Sequence, residues 1–285
     1  MSETTPDTPA SPRVPEAVGV YGGGRMGAGI AHAFATAGAR VIVIESTDDT
    51  VAAARGRIDA SIEKSQSKGI DVPGTVEVVR DPTLLDQALL VVEAVPEDLG
   101  LKQEILAGIA KYAPAASIGT NTSALSIDEL AAALPRPQAL IGLHFFNPVP
   151  VSELVEVVVG THTEPGLVEV ARGWIAGLGK TAITVKDSPG FASSRLGVAL
   201  ALEAMRMVED GVASAEDIDR AMTLGYRHPA GPLKTTDIVG LDVRLGIAEH
   251  LAAEIGERFT PPQILKDKVA AGELGRKTGQ GFYTW

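Results

Sequence analysis

The chain has 285 residues, 36 acidic against 25 basic, and a net charge of −11, which argues against nucleic acid or an anionic membrane as the main partner. Hydrophobic residues make up 45% but aromatics only 4%, so the core must be built from Ala, Val, Leu and Ile, and the length suits two domains. The absence of cysteine excludes disulfides and thiolate catalysis and suits a reducing, cytoplasmic location.

Met1 to about Arg13 is polar and Pro-rich, reads as a disordered tail, and lacks the basic and apolar regions of a signal peptide. No apolar run approaches the ~18 residues of a membrane span. Val18 to Tyr21 then reads as a buried strand, followed by Gly22, Gly24 and Gly27 in G-x-G-x-x-G spacing. A helix runs on through Ala37 to a stop at Gly38, and a second strand, Arg40 to Ile44, ends at Glu45. Each part has a physical role in holding a dinucleotide. Gly22 permits the tight turn, Gly24 lets the backbone approach a pyrophosphate, and Gly27 lets helix and strand pack closely. Arg25 and Met26 lie in the same turn, and the helix N-terminus offers N–H groups to the phosphates. Glu45 can accept hydrogen bonds from ribose hydroxyls and would repel a 2′-phosphate, which favours NAD over NADP.

A long helix is expected from Asp48 or Asp49 to Gly69, then strands at Val76–Val79 and Leu89–Val92. A helix at Leu99–Tyr112, a strand at Ser117–Gly119, a helix at Asp128–Leu134 and a strand at Leu140–Leu143 follow. This alternation implies a largely parallel, Rossmann-type sheet covered on both faces, with ligands beyond the carboxyl ends of its strands. The polar groups at those ends are Glu45, Glu93 with Glu97, Asn121 with Ser123, and His144, and Asn121 joins the expected cofactor set. From Ser193 onward the periodicity is helical, with Gly211 ending one helix, Ser214 and Asp217 opening the next, and Pro229 and Pro232 interrupting. The expected division is a tail at 1–13, an NAD-binding domain at 14–189 and an all-α domain at 190–285 for substrate and dimerisation.

The stretch GLHFFNPVPVSELVEVVVG carries an imidazole and a carboxylate in an otherwise apolar sequence. If NPVP turns the chain near Pro150, residues whose numbers sum to 300 lie opposite each other, and His144 with Glu156 meets that condition. The glutamate would hold one ring nitrogen and stabilise the imidazolium while the other takes a proton. Spacing alone fits equally a structural pair that pins a hairpin. His32, His162, His228 and His250 form no metal-ligand spacing, so no metal is expected, and no G-x-S-x-G elbow supports a serine hydrolase.

From about Val14 to Trp285 the motifs GGGRMGAGIA, VVEAVPED, NTSALSI, GLHFFNPVP, LVEVV, DSPGF, GPLKTTDIVGLD and GRKTGQGFY follow in order. Together they resemble the L-3-hydroxyacyl-CoA dehydrogenase family, especially its short-chain 3-hydroxybutyryl-CoA members. The resemblance implies that His144 is the general base, oriented by Glu156, and that Ser123 hydrogen-bonds the substrate hydroxyl. It places Glu97, Lys102, Asn147 and Lys277 around NAD, gives Ser61 and Lys68 to CoA, and implies a homodimer through the C-terminal helices. Two positions depart from the pattern: Glu45 replaces the usual Asp, and Ser194 stands where the family has an asparagine that helps polarise the substrate. The residues leave open a related hydroxy acid or acyl-carrier-protein thioester as substrate, and a non-catalytic NAD-binding protein as a different class.

Overall fold

The computed structural model describes residues 14–285, so the tail expected at its N-terminus lies outside the described residues. The chain divides into two compact units, the first ending at Asp187 and the second running from Ser188 to Trp285.

The first unit is built on eight strands: β1 (Ala17–Tyr21), β2 (Arg40–Ile44), β3 (Thr75–Val79), β4 (Leu90–Glu93), β5 (Ser117–Thr120), β6 (Leu140–Phe145), β7 (Leu154–Val159) and β8 (Thr181–Lys186). They form one sheet in the order β3-β2-β1-β4-β5-β6-β7-β8. Every neighbouring pair is parallel except β6 and β7. The central strands β4 and β6 are buried along their whole length, which suits their apolar stretches Leu90–Val92 and Leu140–Leu143. Chain order reverses on either side of β1, the switch point where such sheets open a crevice for ligands. Helices α1 (Arg25–Thr36), α2 (Asp48–Gln66), α3 (Leu99–Tyr112), α4 (Ile127–Ala131) and α5 (Pro165–Gly177) complete the unit.

Several boundaries differ from the expectations. The long helix α2 begins at Asp48 as expected but ends at Gln66; it is capped by Thr47, through reciprocal bonds with Thr50 that satisfy two backbone N–H groups. Helix α4 is shorter than expected and is capped by Ser126. Strand β4 extends to Glu93, which draws that carboxylate into the sheet. Neither α5 nor β8 is anticipated by the sequence reading. The first hides its apolar face (Leu167, Ala171, Trp174, Ile175), and the second is an edge strand that exposes Thr181, Thr184 and Lys186.

The second unit is helical: α6 (Ser193–Glu209), α7 (Ala215–Arg220), α8 (Pro232–Val239), α9 (Leu241–Ile255) and α10 (Gln263–Ala270). Its core gathers Val198, Leu202, Met205, Leu233, Leu241 and Leu251. Ser214 caps α7 by accepting from Asp217 N–H. Pro232 does not merely interrupt the chain; it opens α8, because a proline in the first turn forfeits only an N–H that has no helical partner. The C-terminal segment is fastened by two buried carboxylates. Asp237 accepts from the backbone N–H groups of Phe282 and Tyr283 and from Trp285 Nε1, each at 2.9 Å. Asp219 accepts from Tyr283 Oη at 2.8 Å.

Candidate active site

At the end of β1 the backbone turns through Gly22, whose φ of +96° suits only glycine, and its N–H donates to Ile44 O at 2.9 Å. A side chain at Gly27 would overlap the Gly22 carbonyl, so the close packing assigned to that glycine is present. A Cβ at Gly24 would meet nothing within 4 Å, and Gly24 caps α1 without any side-chain hydrogen bond. The first-turn N–H groups of α1 are thus left to a ligand in open space, as a pyrophosphate requires. Glu45 stands at the end of β2 and accepts from Gly23 N–H at 2.5 Å through one oxygen. Met26 is partly buried against the core.

Beyond β4 a buried network arranges the next loop. Glu93 and Lys102 are fully enclosed and pair at 2.7 Å, and Glu93 also accepts from Thr120 Oγ1 at 2.6 Å. Lys102 therefore lies beneath the site rather than on its surface, and it reaches Glu97 at 3.4 Å. Glu97 Oε1 accepts from Thr122 Oγ1 (2.6 Å), Ser123 N–H (2.8 Å), Ser123 Oγ (3.2 Å) and Ala124 N–H (3.1 Å), which fixes the loop carrying Ser123. Burial pushes the Glu97 carboxyl up, but Lys102, Thr122 and the two N–H groups outweigh it and hold it below its ordinary value. A carboxyl depressed on folding contributes stability that is complete above its unfolded value, about 4.3, and is lost as pH falls through the lower folded value. Glu97→Gln is therefore expected to flatten the acid end of the stability curve, as read by urea unfolding across that window.

His144 Nδ1 and Glu156 Oε2 lie 2.7 Å apart, with His144 on β6 directly opposite Glu156 on β7. The antiparallel pairing has the register expected from the sequence, and Glu156 is fully buried. Phe146 packs beside the imidazole, with ring centroids 4.5 Å apart. Asn121 Oδ1 accepts from Phe145 N–H at 2.9 Å, so the loop leading to Ser123 is tied beside the histidine strand. The role of that asparagine oxygen is thus to join strands.

A cleft of about 650 Å³ opens along α1, α2 and the turn between β6 and β7. Arg25, Arg57, Lys64, Lys68 and Lys180 line it, with Ser61 and Asn147, and no acidic residue does so. In a chain of net charge −11 that grouping marks a place for an anion. Lys180 Nζ donates to Val149 O at 2.7 Å and Ser152 O at 2.6 Å, which braces the turn. Burial lowers the Lys180 pKa, opposed by Glu153. Buried His32 also lines the cleft and contacts Ser65 Oγ at 2.9 Å through Nε2; burial and then Lys180 lower its pKa. The sequence reading singled out Ser61 and Lys68 but missed Arg57, Lys64 and Lys180. The first two were signalled by the 57, 61, 64, 68 spacing, which places one stripe on a helix. Lys180 follows an unanticipated helix and had no such signal.

The model of the 3-hydroxyacyl-CoA dehydrogenase NAD-binding domain matches residues 17–188, and that of the same family's C-terminal domain matches residues 190–285. The chain belongs to the 3-hydroxyacyl-CoA dehydrogenase family. A 3-hydroxybutyryl-CoA dehydrogenase of Mycobacterium tuberculosis is 40% identical over 279 residues, covering 94% of this chain and 98% of that one. Among solved structures, M. tuberculosis FadB2 aligns with a TM-score of 0.89 at 40% identity, covering 95% of this chain and 99% of that one. An (S)-3-hydroxybutyryl-CoA dehydrogenase, PaaH1 of Ralstonia eutropha, aligns with a TM-score of 0.89 at 36% identity over the same shares.

This family member carries its remaining expected site residues in the helical unit. Ser194 lies in the first turn of α6 and is partly exposed. Lys277 is bound to both carboxylate oxygens of Asp242 at 2.6 Å. Desolvation pushes the Asp242 carboxyl up, but the Lys277 hydrogen bond and charge hold it below its ordinary value. Among the described residues there is no group of three or more His, Cys, Asp or Glu able to hold a metal, and no helix long and apolar enough to cross a membrane.

Proposed function

We propose that this chain catalyses NAD-dependent oxidation of (S)-3-hydroxyacyl-CoA to 3-oxoacyl-CoA, reversibly and on short acyl chains, with His144, Glu156 and Ser123 at the reacting end. The observation that carries the reading is the in-register His144–Glu156 contact beside the Ser123 loop. A pair serving only to pin a hairpin has no need of a hydroxyl on the adjoining loop held by its own carboxylate, Glu97.

In this reading Ser123 donates a hydrogen bond to the substrate oxygen, and His144 accepts the hydroxyl proton at Nε2, opposite the Glu156 contact. Glu156 stabilises the imidazolium that results. Gly22, Gly24, Gly27 and the first turn of α1 would hold the NAD pyrophosphate, and Glu45 the adenosine ribose. When bound, NAD supplies the hydride acceptor. Glu97 and Lys102 act one layer down, by setting the Ser123 loop. The cationic cleft is suited to the CoA phosphates, with Ser61 and Lys68 among its donors, and that charge favours a CoA thioester over a free hydroxy acid. Arg25 and Asn147 belong to the same cleft rim.

NADH formation from (S)-3-hydroxyacyl-CoA thioesters of increasing length tests the proposal, with the best kcat/KM expected at short chains. Run with both cofactors, the assay should favour NAD clearly, because Glu45 repels a 2′-phosphate; equal use of NADP would remove that role from Glu45.

We also propose a cytoplasmic homodimer formed through the helical unit. Leu196, Leu224 and Tyr226 are 70%, 80% and 75% exposed, and Val212, Ile238, Val239 and Val243 are exposed as well. So much uncovered apolar surface suits a permanent interface. Light scattering at micromolar concentration is expected to give twice the chain mass, and a stable monomer would contradict it.

A further inference from the structure

The cationic cleft of the first unit contains a histidine whose surroundings satisfy only half of its ring. His32 lies on α1, is 3% exposed and lines the cleft of about 650 Å³. Its Nε2 meets Ser65 Oγ of α2 at 2.9 Å, and its Nδ1 is buried with no hydrogen-bond partner among the described residues. The serine hydroxyl can donate or accept, so it suits either neutral tautomer. In both, Nδ1 keeps an N–H or a lone pair that no described residue meets. A buried polar atom left in this way is costly and uncommon, and calls for a role.

The charges around the ring select what would answer it. Arg57, Lys64 and Lys68 line the cleft from α2, Arg25 from α1 itself, and Lys180 from beyond α5, with Glu153 acting on Lys180. Asp59 and Glu63 of α2 are exposed and lie outside the lining. The strands packed against α1 add only Arg40 and Glu77, both exposed. Burial, and after it Lys180, lower the His32 pKa, so by itself the ring is neutral near neutral pH. A phosphate in the cleft would offset the cations, favour the imidazolium, and bring oxygens of the kind that an Nδ1–H lacks. We propose that His32 is a binding residue of this cleft that takes up a proton from solvent as a ligand phosphate enters, so that phosphate-bearing ligands are held more tightly as pH falls. Naming that ligand as CoA rests on the proposed function; the coupling of phosphate to His32 does not. Without phosphate, His32 keeps its proton only below its lowered pKa; with phosphate, it keeps it to a higher pH. Affinity therefore rises as pH falls through the window between the two values and levels off below the lower one. Each unit between them is worth about tenfold in affinity.

Calorimetric titration of the full-length protein, saturated with NAD so that the glycine turn is filled, tests the coupling with two probes, CoA and sodium pyrophosphate. Titrations in two buffers of different ionisation heat count the protons taken up. A phosphate bound by cations tends to give up its own proton, which has the opposite sign, so the comparison is between wild type and His32→Gln. Glutamine keeps a hydrogen bond within reach of Ser65 and cannot titrate. Wild type is expected to take up more protons than the variant, and its affinity to gain about tenfold on the variant's between about pH 8 and about pH 5. An effect with pyrophosphate but not with CoA would give the site to a free phosphate ligand. If the variant fails to fold, NMR titration of the wild-type histidine rings serves instead, with the His32 signal expected to titrate at higher pH once CoA is added. Equal proton uptake in wild type and variant with both probes would overturn the proposal, as would a His32 titration that CoA leaves in place or moves down. If wild type oxidises no 3-hydroxyacyl-CoA yet takes up protons through His32 with pyrophosphate, the reaction is rejected and the coupling stands. If it oxidises the thioester while His32 is inert, the coupling falls and the reaction stands.

Discussion

Replacing His144 by alanine is expected to lower turnover by about 10²–10⁴-fold while NADH binds as before. The imidazole at the carboxyl end of β6 is the proton acceptor of the proposed step, and it is held there by a buried carboxylate at 2.7 Å. The groups assigned to the NAD pyrophosphate and adenosine ribose stand at the ends of β1 and β2, so binding and turnover should separate. Glu156→Gln keeps the size of the partner and removes its charge. Turnover should fall by less, because the imidazolium loses the charge that stabilises it while the ring keeps a hydrogen-bond partner. Stopped-flow turnover and fluorescence titration with NADH check both variants. Near wild-type turnover in His144→Ala would remove the assignment.

The second large effect is on stability. Lys102→Met should destabilise the fold by about 3–5 kcal/mol, because it leaves the fully buried Glu93 carboxylate without its cation. Glu93 would keep its bonds from Thr120 Oγ1 and Val95 N–H, which cannot neutralise a charge in a low-dielectric interior. The double variant Glu93→Gln with Lys102→Met should recover much of the loss, since no unpaired charge then remains. Urea unfolding followed by circular dichroism decides it. A loss in the single variant no larger than in the double would mean that the pair is not coupled as described.

The parts legible in the sequence share a physical property: they are fixed by local rules. The glycine turn is one, because only residues without a side chain fit both Gly22 and Gly27. The His144–Glu156 pairing is another, because a turn near Pro150 sets the register of every residue on both arms. Glu93 and Lys102 show the opposite case. They are nine residues apart, on a strand and a helix, and nothing in their spacing announces a buried ion pair. Lys102 read as a group around the cofactor because its sequence position matches the family, whereas its burial depends on how α3 packs. The cationic cleft was half legible for the same reason. Its stripe on α2 follows helical spacing, but Lys180 arrives from the far end of α5.

The central claim is that the His144–Glu156 pair and the cationic cleft serve one reaction on a CoA-bound 3-hydroxyacyl group. The most direct measurement is NADH formation by the wild-type protein from (S)-3-hydroxybutyryl-CoA, the matching acyl-carrier-protein thioester and free 3-hydroxybutyrate at equal concentrations. Rapid NADH formation is expected with the CoA thioester, and far lower kcat/KM with the other two. Equal or better oxidation of the free acid or the carrier-protein thioester would contradict it.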